Sequence, residues 1–496
     1  KAIELDPNSA EIHSNLGNIL SDLGNLQEAE LSTRKAIELN PNLADAHSNL
    51  GNILKDLGKL QDAEVSTRKA IELDPNSAEA HSNLGIILRD LGNLKEAENS
   101  IRKAIDLQPD FAKSHSNLGI ILKDLGNLKE AESSTRKAIE LNPNLAEVHS
   151  NLGIILRDLG NLKEAELSHR KAIELNPDFV EAHFNISEIL LKQKKFEEGW
   201  KKYNFRLKSE KTIKELGGRF ITTKPEWSPD KKGRVLLWAE QGPGDQLLYL
   251  TLIPDFIDKV NKLIIKVDSR LIPLLKRSLN NKDIKLISQE DYTNETQYDF
   301  HLALGSLPNY LRPTLTSFKK SKNLELLVDK EKSDKFRRNI MSNKYKKIIG
   351  ISWKSTSKIN KNRSLPLEQL ILGIYSPEIC FVCLQYGEVK EEIKSIKDNY
   401  GINIYEFEQV DKFKNIDELA ALASICNEIV SIENMTLFIA GGLGIKSYIL
   451  LTKNCLWYNG HKELKSDWYP SLNFVRQGSE PSWNKALKEI KNLIKI

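Results

Sequence analysis

A pair of residues recurs every 34 positions: His13, His47, His81, His115, His149 and His183, each followed two places on by Asn15, Asn49, Asn83, Asn117, Asn151 and Asn185. Pro7, Pro41, Pro75, Pro109, Pro143 and Pro177 keep the same period. A segment that repeats at this spacing folds as a stack. One unit is too small to bury its own apolar stripe, so each must be covered by its neighbours. The period ends near residue 204, and the rest of the 496-residue chain carries no trace of it. The break predicts a binding solenoid over residues 1–204, in six periods, joined to an unrelated second part.

Each unit reads as two helices. Leu-Gly at Leu16-Gly17 and a later alanine, Ala29, put small residues where two helices must come close. Gly24 is placed to end the first helix, and Pro41 to stop the second. This pattern resembles the tetratricopeptide repeat, an all-α superhelix. At about 100° per residue, His13, Leu16, Gly17 and Leu20 share one face, which makes the histidines core residues. Asn15 lies about 200° from His13 and is expected to face away from that core, with no packing task. A carboxamide both donates and accepts, so such a row can clamp an extended backbone of any sequence. It resembles the asparagine ladder inside the superhelix of nucleocytoplasmic O-linked N-acetylglucosamine transferases. Asn15, Asn49, Asn83, Asn117, Asn151 and Asn185 are therefore the candidate contacts to a protein or peptide partner.

The chain opens inside what would be a second helix, and a stretch upstream of Lys1 is expected. Its net charge of +4 gives no reason to expect nucleic acid as a partner. Lys-rich stretches such as Lys319–Lys347 are interleaved with Asp, Glu and Asn and read as solvated surface. No run approaches 18 apolar residues, so no transmembrane segment is expected. Four cysteines, Cys380, Cys383, Cys426 and Cys455, suit a reducing cytoplasm. Cys380 and Cys383 lie in an apolar run that reads as a buried strand, where odd spacing sends them to opposite faces. No metal site is expected.

All seven tryptophans stand at or after Trp200. Apolar runs at Val235–Trp238, Leu263–Val267 and His301–Leu304 alternate with helical stretches. A second series follows at Ile348–Trp353, Ile379–Gln385, Ile402–Phe407, Glu428–Ile432 and Ser447–Thr452. Two βα series predict two doubly wound parallel sheets, over 205–340 and 341–480, with ligands at the carboxyl ends of the strands. An amphipathic helix, 481–496, closes the chain through Trp483, Leu487, Ile490 and Ile494. Three loops at strand ends carry candidate chemistry. The first contains Gly242, Gly244 and Asp245, glycines for close backbone approach and a carboxylate that is either a helix cap or a base. The second is Lys354-Ser355-Thr356-Ser357 followed by Asn362-Arg363-Ser364, a cation with hydroxyls suited to a phosphate leaving group. The third, Glu433-Asn434-Met435-Thr436, opens a helix whose N–H groups can seat a diphosphate. Ala440-Gly441-Gly442 on that helix also permits tight packing.

Taken in order, E-Q-G-P-G-D (240–245), S-W-K-S (352–355), N-R-S-L-P-L (362–367), C-L-Q-Y-G (383–387), N-I-D-E-L-A-A-L-A-S (415–424), V-S-I-E-N (430–434), I-A-G-G-L-G (439–444) and W-Y-P-S-L-N-F-V-R-Q (468–477) resemble bacterial heptosyltransferase-like glycosyltransferases. The likeness is greatest to those attached to tetratricopeptide repeats. It runs from about Phe196 to Trp483 and includes Glu198-Gly199-Trp200, Tyr203 and Ser306-Leu307-Pro308. It implies a GT-B pair of Rossmann-like domains, the first half on the acceptor side and the second on the nucleotide-sugar side. The implied enzyme is inverting and metal-independent, uses a nucleotide-sugar as substrate and needs no cofactor. By the resemblance, Asp245 matches the family's proposed base and Lys354 the basic residue near the donor phosphates. The implied donor contacts are Gly242, Gly244, Ser352, Ser355, Gln385, Glu433, Asn434, Met435 and Thr436. Glu433 replaces the usual aspartate, Asn434 is a variant of a threonine, and Phe438 stands where a histidine is usual. The alternative is a non-catalytic interaction scaffold with a degenerate glycosyltransferase part.

Overall fold

A computed structural model describes residues 6–209, 213–214, 220–340, 345–355, 363–478 and 482–494. The chain divides into two compact units, 1–182 and 183–496. The division falls inside the helix Val180–Lys192, short of residue 204, and the second unit is not divided between its two sheets.

In the first unit, five helices (Ala10–Asp22, Ala44–Asp56, Ala78–Asp90, Ala112–Asp124 and Ala146–Asp158) alternate with five more (Leu26–Leu39, Leu60–Leu73, Leu94–Leu107, Leu128–Leu141 and Leu162–Leu175). Close approach within each pair depends on a missing side chain. A Cβ on Gly17 would lie 2.0 Å from Thr33 Oγ1, and one on Gly51 2.1 Å from Thr67 Oγ1. Ala29, Ala63, Ala97, Ala131 and Ala165 are buried on the facing helix. Gly24, Gly58, Gly92, Gly126 and Gly160 reverse the chain with φ between 77° and 87°, a region that side chains disfavour.

The two polar ladders differ from the sequence expectation. His13, His47, His81, His115 and His149 are half-buried rather than core. Their Nε2 atoms sit 3.0, 2.9, 3.1, 2.8 and 2.8 Å from the carbonyl oxygens of Pro7, Pro41, Pro75, Pro109 and Pro143. Each ring ties the inter-helix turn to the helix that follows. The asparagines have a packing task after all. Asn49, Asn83, Asn117 and Asn151 donate through Nδ2 to Oγ of Ser14, Ser48, Ser82 and Ser116, at 3.0, 3.2, 3.1 and 3.2 Å. These buried serines belong to the preceding repeat. The helical wheel separated the asparagines from their own helix's core but could not show the next helix in the stack.

His169 departs from the repeat pattern. It occupies the place of Thr33, Thr67 and Thr135, whose hydroxyls donate to the carbonyls of Ala29, Ala63 and Ala131. Its Nδ1 is 3.4 Å from Ser150 Oγ, while its buried Nε2 has no partner. Burial, aided by the charge of Arg157, pushes its pKa down to about 3.

The second unit contains two parallel sheets. The strands β1 (Arg234–Trp238), β2 (Lys262–Val267), β3 (Ile284–Ser288) and β4 (Phe300–Ala303) lie in the order β3-β2-β1-β4. Val235, Leu237, Leu263 and Ile265 pack with leucines of the helices Pro243–Leu250 and Ile272–Ser278. On the other face, Leu236 and Ile264 meet Tyr298 and Phe220, which come from extended segments. This sheet is therefore not doubly wound in its described residues, because the connection from β3 to β4 is too short to carry a covering helix. The second sheet comprises β5 (Lys347–Ser352), β6 (Ile379–Cys383), β7 (Ile404–Tyr405), β8 (Glu428–Ile432), β9 (Ser447–Leu451) and β10 (Leu472–Arg476), in the order β10-β9-β8-β5-β6-β7. Cys380 and Cys383 join separate core clusters, as odd spacing in a strand requires. The helix Asn484–Leu493 closes one face through Trp483, Leu487, Ile490 and Ile494, all buried. The connector expected to be solvated is partly core: Leu326 fills the space left by Gly442, 2.5 Å from where a Cβ would stand.

Changing Asn49, Asn83, Asn117 and Asn151 together to Ala should lower the melting temperature of the repeats. Each lost hydrogen bond costs about 0.5–1.5 kcal/mol. An unchanged midpoint would show that the ladder bears no load. For His169, the folded pKa lies below the ordinary 6.5, so its contribution to stability is full above pH 6.5 and is lost as pH falls toward 3. His169→Thr should therefore gain on the native chain progressively below pH 6.5, and parallel melting curves across that window would refute it.

Candidate functional site

The carboxyl end of the second sheet is organised by two carboxamides. Gln385, just beyond β6, is buried, and its Oε1 accepts from Ser352 Oγ, Trp353 N and Lys354 N at 3.0, 2.9 and 2.8 Å. Its Nε2 donates to the carbonyl of Tyr386 at 2.9 Å. Asn434 caps the helix Met435–Gly442 by accepting from Thr436 N at 3.0 Å. Its Nδ2 reaches Ser352 Oγ at 2.6 Å and Lys354 O at 3.3 Å. The structure thus brings Ser352, Lys354, Gln385, Asn434 and Thr436 together. The roles of Gln385 and Asn434 are architectural, and Asn434 already occupies one of the N–H groups expected to receive an anion. Thr436 Oγ1 is buried beside it without a partner. Met435 is half-buried at the first position of the helix. Ser355 N donates to Ser364 Oγ at 3.0 Å. Thr356, Ser357 and Asn362 lie outside the described residues.

The two cations at this edge are unlike. Lys354 is partly exposed and ion-paired with Glu392 of the helix Lys390–Tyr400, a carboxylate that also accepts from Trp353 Nε1 at 2.9 Å. Glu392 escaped the sequence reading because it lies 38 residues from its partner. Arg363, named in the second candidate loop, is nearly buried, with Nε 3.3 Å from Glu433 Oε2. The other oxygen of Glu433 accepts from Leu456 N at 2.8 Å and from Asn459 Nδ2. Oε2 of Glu433 is buried without a hydrogen-bond partner, and Arg363 faces it only as an ion pair.

In the first half, Gly242 caps the helix Pro243–Leu250 and Asp245 is its third residue, so Asp245 is not the cap. A Cβ on Gly242 would meet only Asp245 Oδ2, at 4.0 Å, which leaves that glycine open. Gly244 is a packing glycine instead: its absent Cβ would stand 2.6 Å from the ring of Phe438. Phe438 also packs against Tyr458, with ring centroids 5.5 Å apart. Asp245 is half-buried, and its pKa is pushed up to about 6, first by burial and next by the charge of Glu240, with Arg363 opposing. Glu240 is locked in a buried pair with Arg206, which also donates to Ser306 Oγ and the Tyr203 carbonyl. Asp245 is therefore a carboxylate of raised proton affinity, giving up its proton at about pH 6, in the first turn of the helix that follows β1.

On the repeats, a recess of ≈ 440 Å³ opens beside Asn15, Asn18 and Asn49, with Glu11, Asp45 and Glu79 in its wall. Asn15 is exposed, Asn185 half-buried. All four cysteines are buried and free. Among the described residues, no group of three or more His, Cys, Asp or Glu is placed to hold a metal ion. No described helix is long and apolar enough to cross a membrane.

Residues 10–43, 44–77, 78–111, 112–145 and 146–179 match the tetratricopeptide repeat family, so the first unit carries five such repeats. Protein FlbA of Caulobacter vibrioides is 28% identical over 303 residues, which cover 57% of this chain and 50% of that protein. The chain spans about half the length of this relative. Similar solved structures include YrrB, a repeat protein with an unusual peptide-binding site, at 27% identity and TM-score 0.29, covering 37% of this chain and 94% of that one. They also include TTC0263 of Thermus thermophilus, at 24% identity and TM-score 0.35, covering 37% and 100%.

Replacing Gln385 by Leu should lower the melting temperature sharply, because three donors lose their shared acceptor and each buried orphan costs about 1–3 kcal/mol. A Gln385→Leu chain that melts like the native one would mean that those donors have other acceptors.

Proposed function

We propose that the second unit is a glycosyltransferase that moves a sugar from a nucleotide-sugar to an acceptor hydroxyl, with inversion and without a metal, and that the repeats hold a protein or peptide partner or acceptor. Asp245 carries this reading. It is a half-buried carboxylate at a strand's carboxyl end, relieved of any capping duty, with its proton affinity raised to about 6. That is where a general base working near neutral pH belongs. As the acceptor oxygen attacks the anomeric carbon, its proton passes to Asp245, the glycosidic bond to phosphate breaks, and the nucleoside diphosphate leaves with the bonding pair. A positioned base supplies about 10²–10⁴-fold. Lys354, the open Gly242 and the start of the helix Met435–Gly442 face the leaving diphosphate in this scheme, and fixed donors there would stabilise the developing charge.

For the repeats, support comes from the unused half of each carboxamide. The Nδ2 of Asn49, Asn83, Asn117 and Asn151 is tethered to a serine, and the Oδ1 accepts nothing among the described residues. Tethering fixes the rotamer at no cost to the acceptor, which stays available to a backbone N–H of an extended segment. A non-catalytic scaffold is favoured by one observation, the Phe438 ring filling the space over Gly244.

Release of nucleoside diphosphate from a panel of nucleotide-sugars is the test. Turnover should rise with pH through about 6 as Asp245 loses its proton, and Asp245→Asn should abolish it while donor affinity changes little. Because the folded pKa is raised, ionisation costs stability as pH rises through 6. Asp245→Asn should therefore melt higher than the native chain above pH 6. Full turnover by the Asn variant would remove Asp245 as the base, and no turnover with any donor would favour the scaffold.

A further inference from the structure

The carboxylates of the repeats fall into two groups. On the second helix of each repeat they are paired. Glu30, Glu64, Glu98 and Glu132 each meet the arginine one turn on, Arg34, Arg68, Arg102 and Arg136. Glu96, Glu130 and Glu164 meet the arginine of the repeat before, Arg68, Arg102 and Arg136. On the first helices, Glu11, Asp45 and Glu79 are exposed and have no ion pair among the described residues. Each stands four residues before an asparagine of the ladder, Asn15, Asn49 or Asn83, and so shares its helix face. All three stand in the wall of the ≈ 440 Å³ recess beside Asn15 and Asn49, and no lysine or arginine among the described residues lines it. The chain has 72 lysines and arginines against 68 acids, so cations are not scarce; they are kept off this face. Like charges in one concavity focus their field on whatever enters it. In the fourth repeat the equivalent residue is Lys113, where the sign reverses.

We propose, within the reading that the repeats hold a protein or peptide partner, that this partner is a basic extended segment with a lysine or arginine at every third position. The spacing follows from the stack. First helices of neighbouring repeats touch, since Asn49 and Asn83 donate to Ser14 and Ser48 of the repeat before. Helices in such contact lie about 8–10 Å apart. A chain extended in the polyproline manner has three residues per turn and rises about 3.1 Å per residue, so about 9 Å per turn. Every third side chain therefore returns to the same face once per repeat, and three cations in that register meet Glu11, Asp45 and Glu79. Backbone N–H groups between them reach Oδ1 of Asn49 and Asn83, whose Nδ2 groups are already tethered. Lys113 ends the register, because a fourth cation would face a like charge. The carboxamides hold the backbone of the segment, and the carboxylates select its sequence.

Fluorescence polarisation on the full chain, with labelled synthetic peptides, tests this. One peptide is three Ala-Lys-Ser triplets, the second is three Ala-Glu-Ser triplets, and the third has the composition of the first with its lysines adjacent. The spaced lysine peptide should bind, and binding should weaken as salt is added. The other two should bind at least about tenfold more weakly. Glu11→Gln, Asp45→Asn and Glu79→Gln together should cost the spaced peptide about tenfold, the sum of three exposed ion pairs. That variant should melt like the native chain, because all three side chains are exposed. A fourth Ala-Lys-Ser triplet should add nothing in the native chain and should add affinity in Lys113→Glu. If the glutamate or adjacent-lysine peptide binds as tightly as the spaced one, or the triple variant binds the spaced one unchanged, the peptide role stands and this inference is overturned. If no peptide binds, both fall.

Discussion

One oxygen atom, Gln385 Oε1, accepts three hydrogen bonds between 2.8 and 3.0 Å, and the working edge of the second sheet depends on it. Two of its donors are the backbone N–H groups of Trp353 and Lys354, freed where β5 ends. Such groups must be satisfied when buried, and a loop at a strand end has no ladder to do so. A carboxylate could take the same three donors but could not donate to the Tyr386 carbonyl, as Gln385 Nε2 does. Ser352, held by Gln385, offers its oxygen to Asn434, and Asn434 caps the helix after β8. The carboxyl ends of β5, β6 and β8 are therefore joined by one network of neutral side chains, Ser352, Gln385 and Asn434. The charged groups beside it are paired, Lys354 with Glu392 and Arg363 with Glu433.

Carboxamides brace the repeats as well, by a different logic. There each asparagine spends one donor on the serine of the preceding repeat, so the bond is made between units rather than within a loop. It adds to the stacking set by Gly17, Gly51 and their equivalents, where helix pairs touch too closely for a side chain. In both units glycine or alanine fixes the distance between elements, and an amide fixes their register.

How much of this was legible in the sequence follows from the range of each interaction. The reversing glycines and the strands rich in Ile, Val and Leu depend on near neighbours, and the structure has them where the sequence put them. β3 and β10 were missed because, as edge strands, Lys285 and Asn473 interrupt their apolar pattern. The asparagine ladder was placed on the right side of its own helix, but its serine partner stands 35 residues upstream. Glu392 was overlooked for the same reason: it is not distinctive until Lys354 is brought beside it. Asp245 was read as opening the helix after β1; it is the third residue of that helix, and the capping position belongs to Gly242.

Phe438 stands where the resemblance to heptosyltransferase-like enzymes would put a histidine, and its surroundings give it a role of its own. Its ring occupies the space beside Gly244, next to Asp245 in sequence, and packs on Tyr458. Tyr458 is itself buried and feels the charge of Asp245. Apolar rings at this spot exclude water, and exclusion of water is the largest cause of the raised proton affinity of Asp245. A histidine there would bring a hydrogen-bonding, chargeable group beside the carboxylate and favour its ionised form. Phe438 offers no hydrogen bond to a donor, and in exchange it keeps an apolar ring against Gly244, next to Asp245 in the chain. In the proposed chemistry, the residue that looks like a loss is therefore part of what makes Asp245 a base.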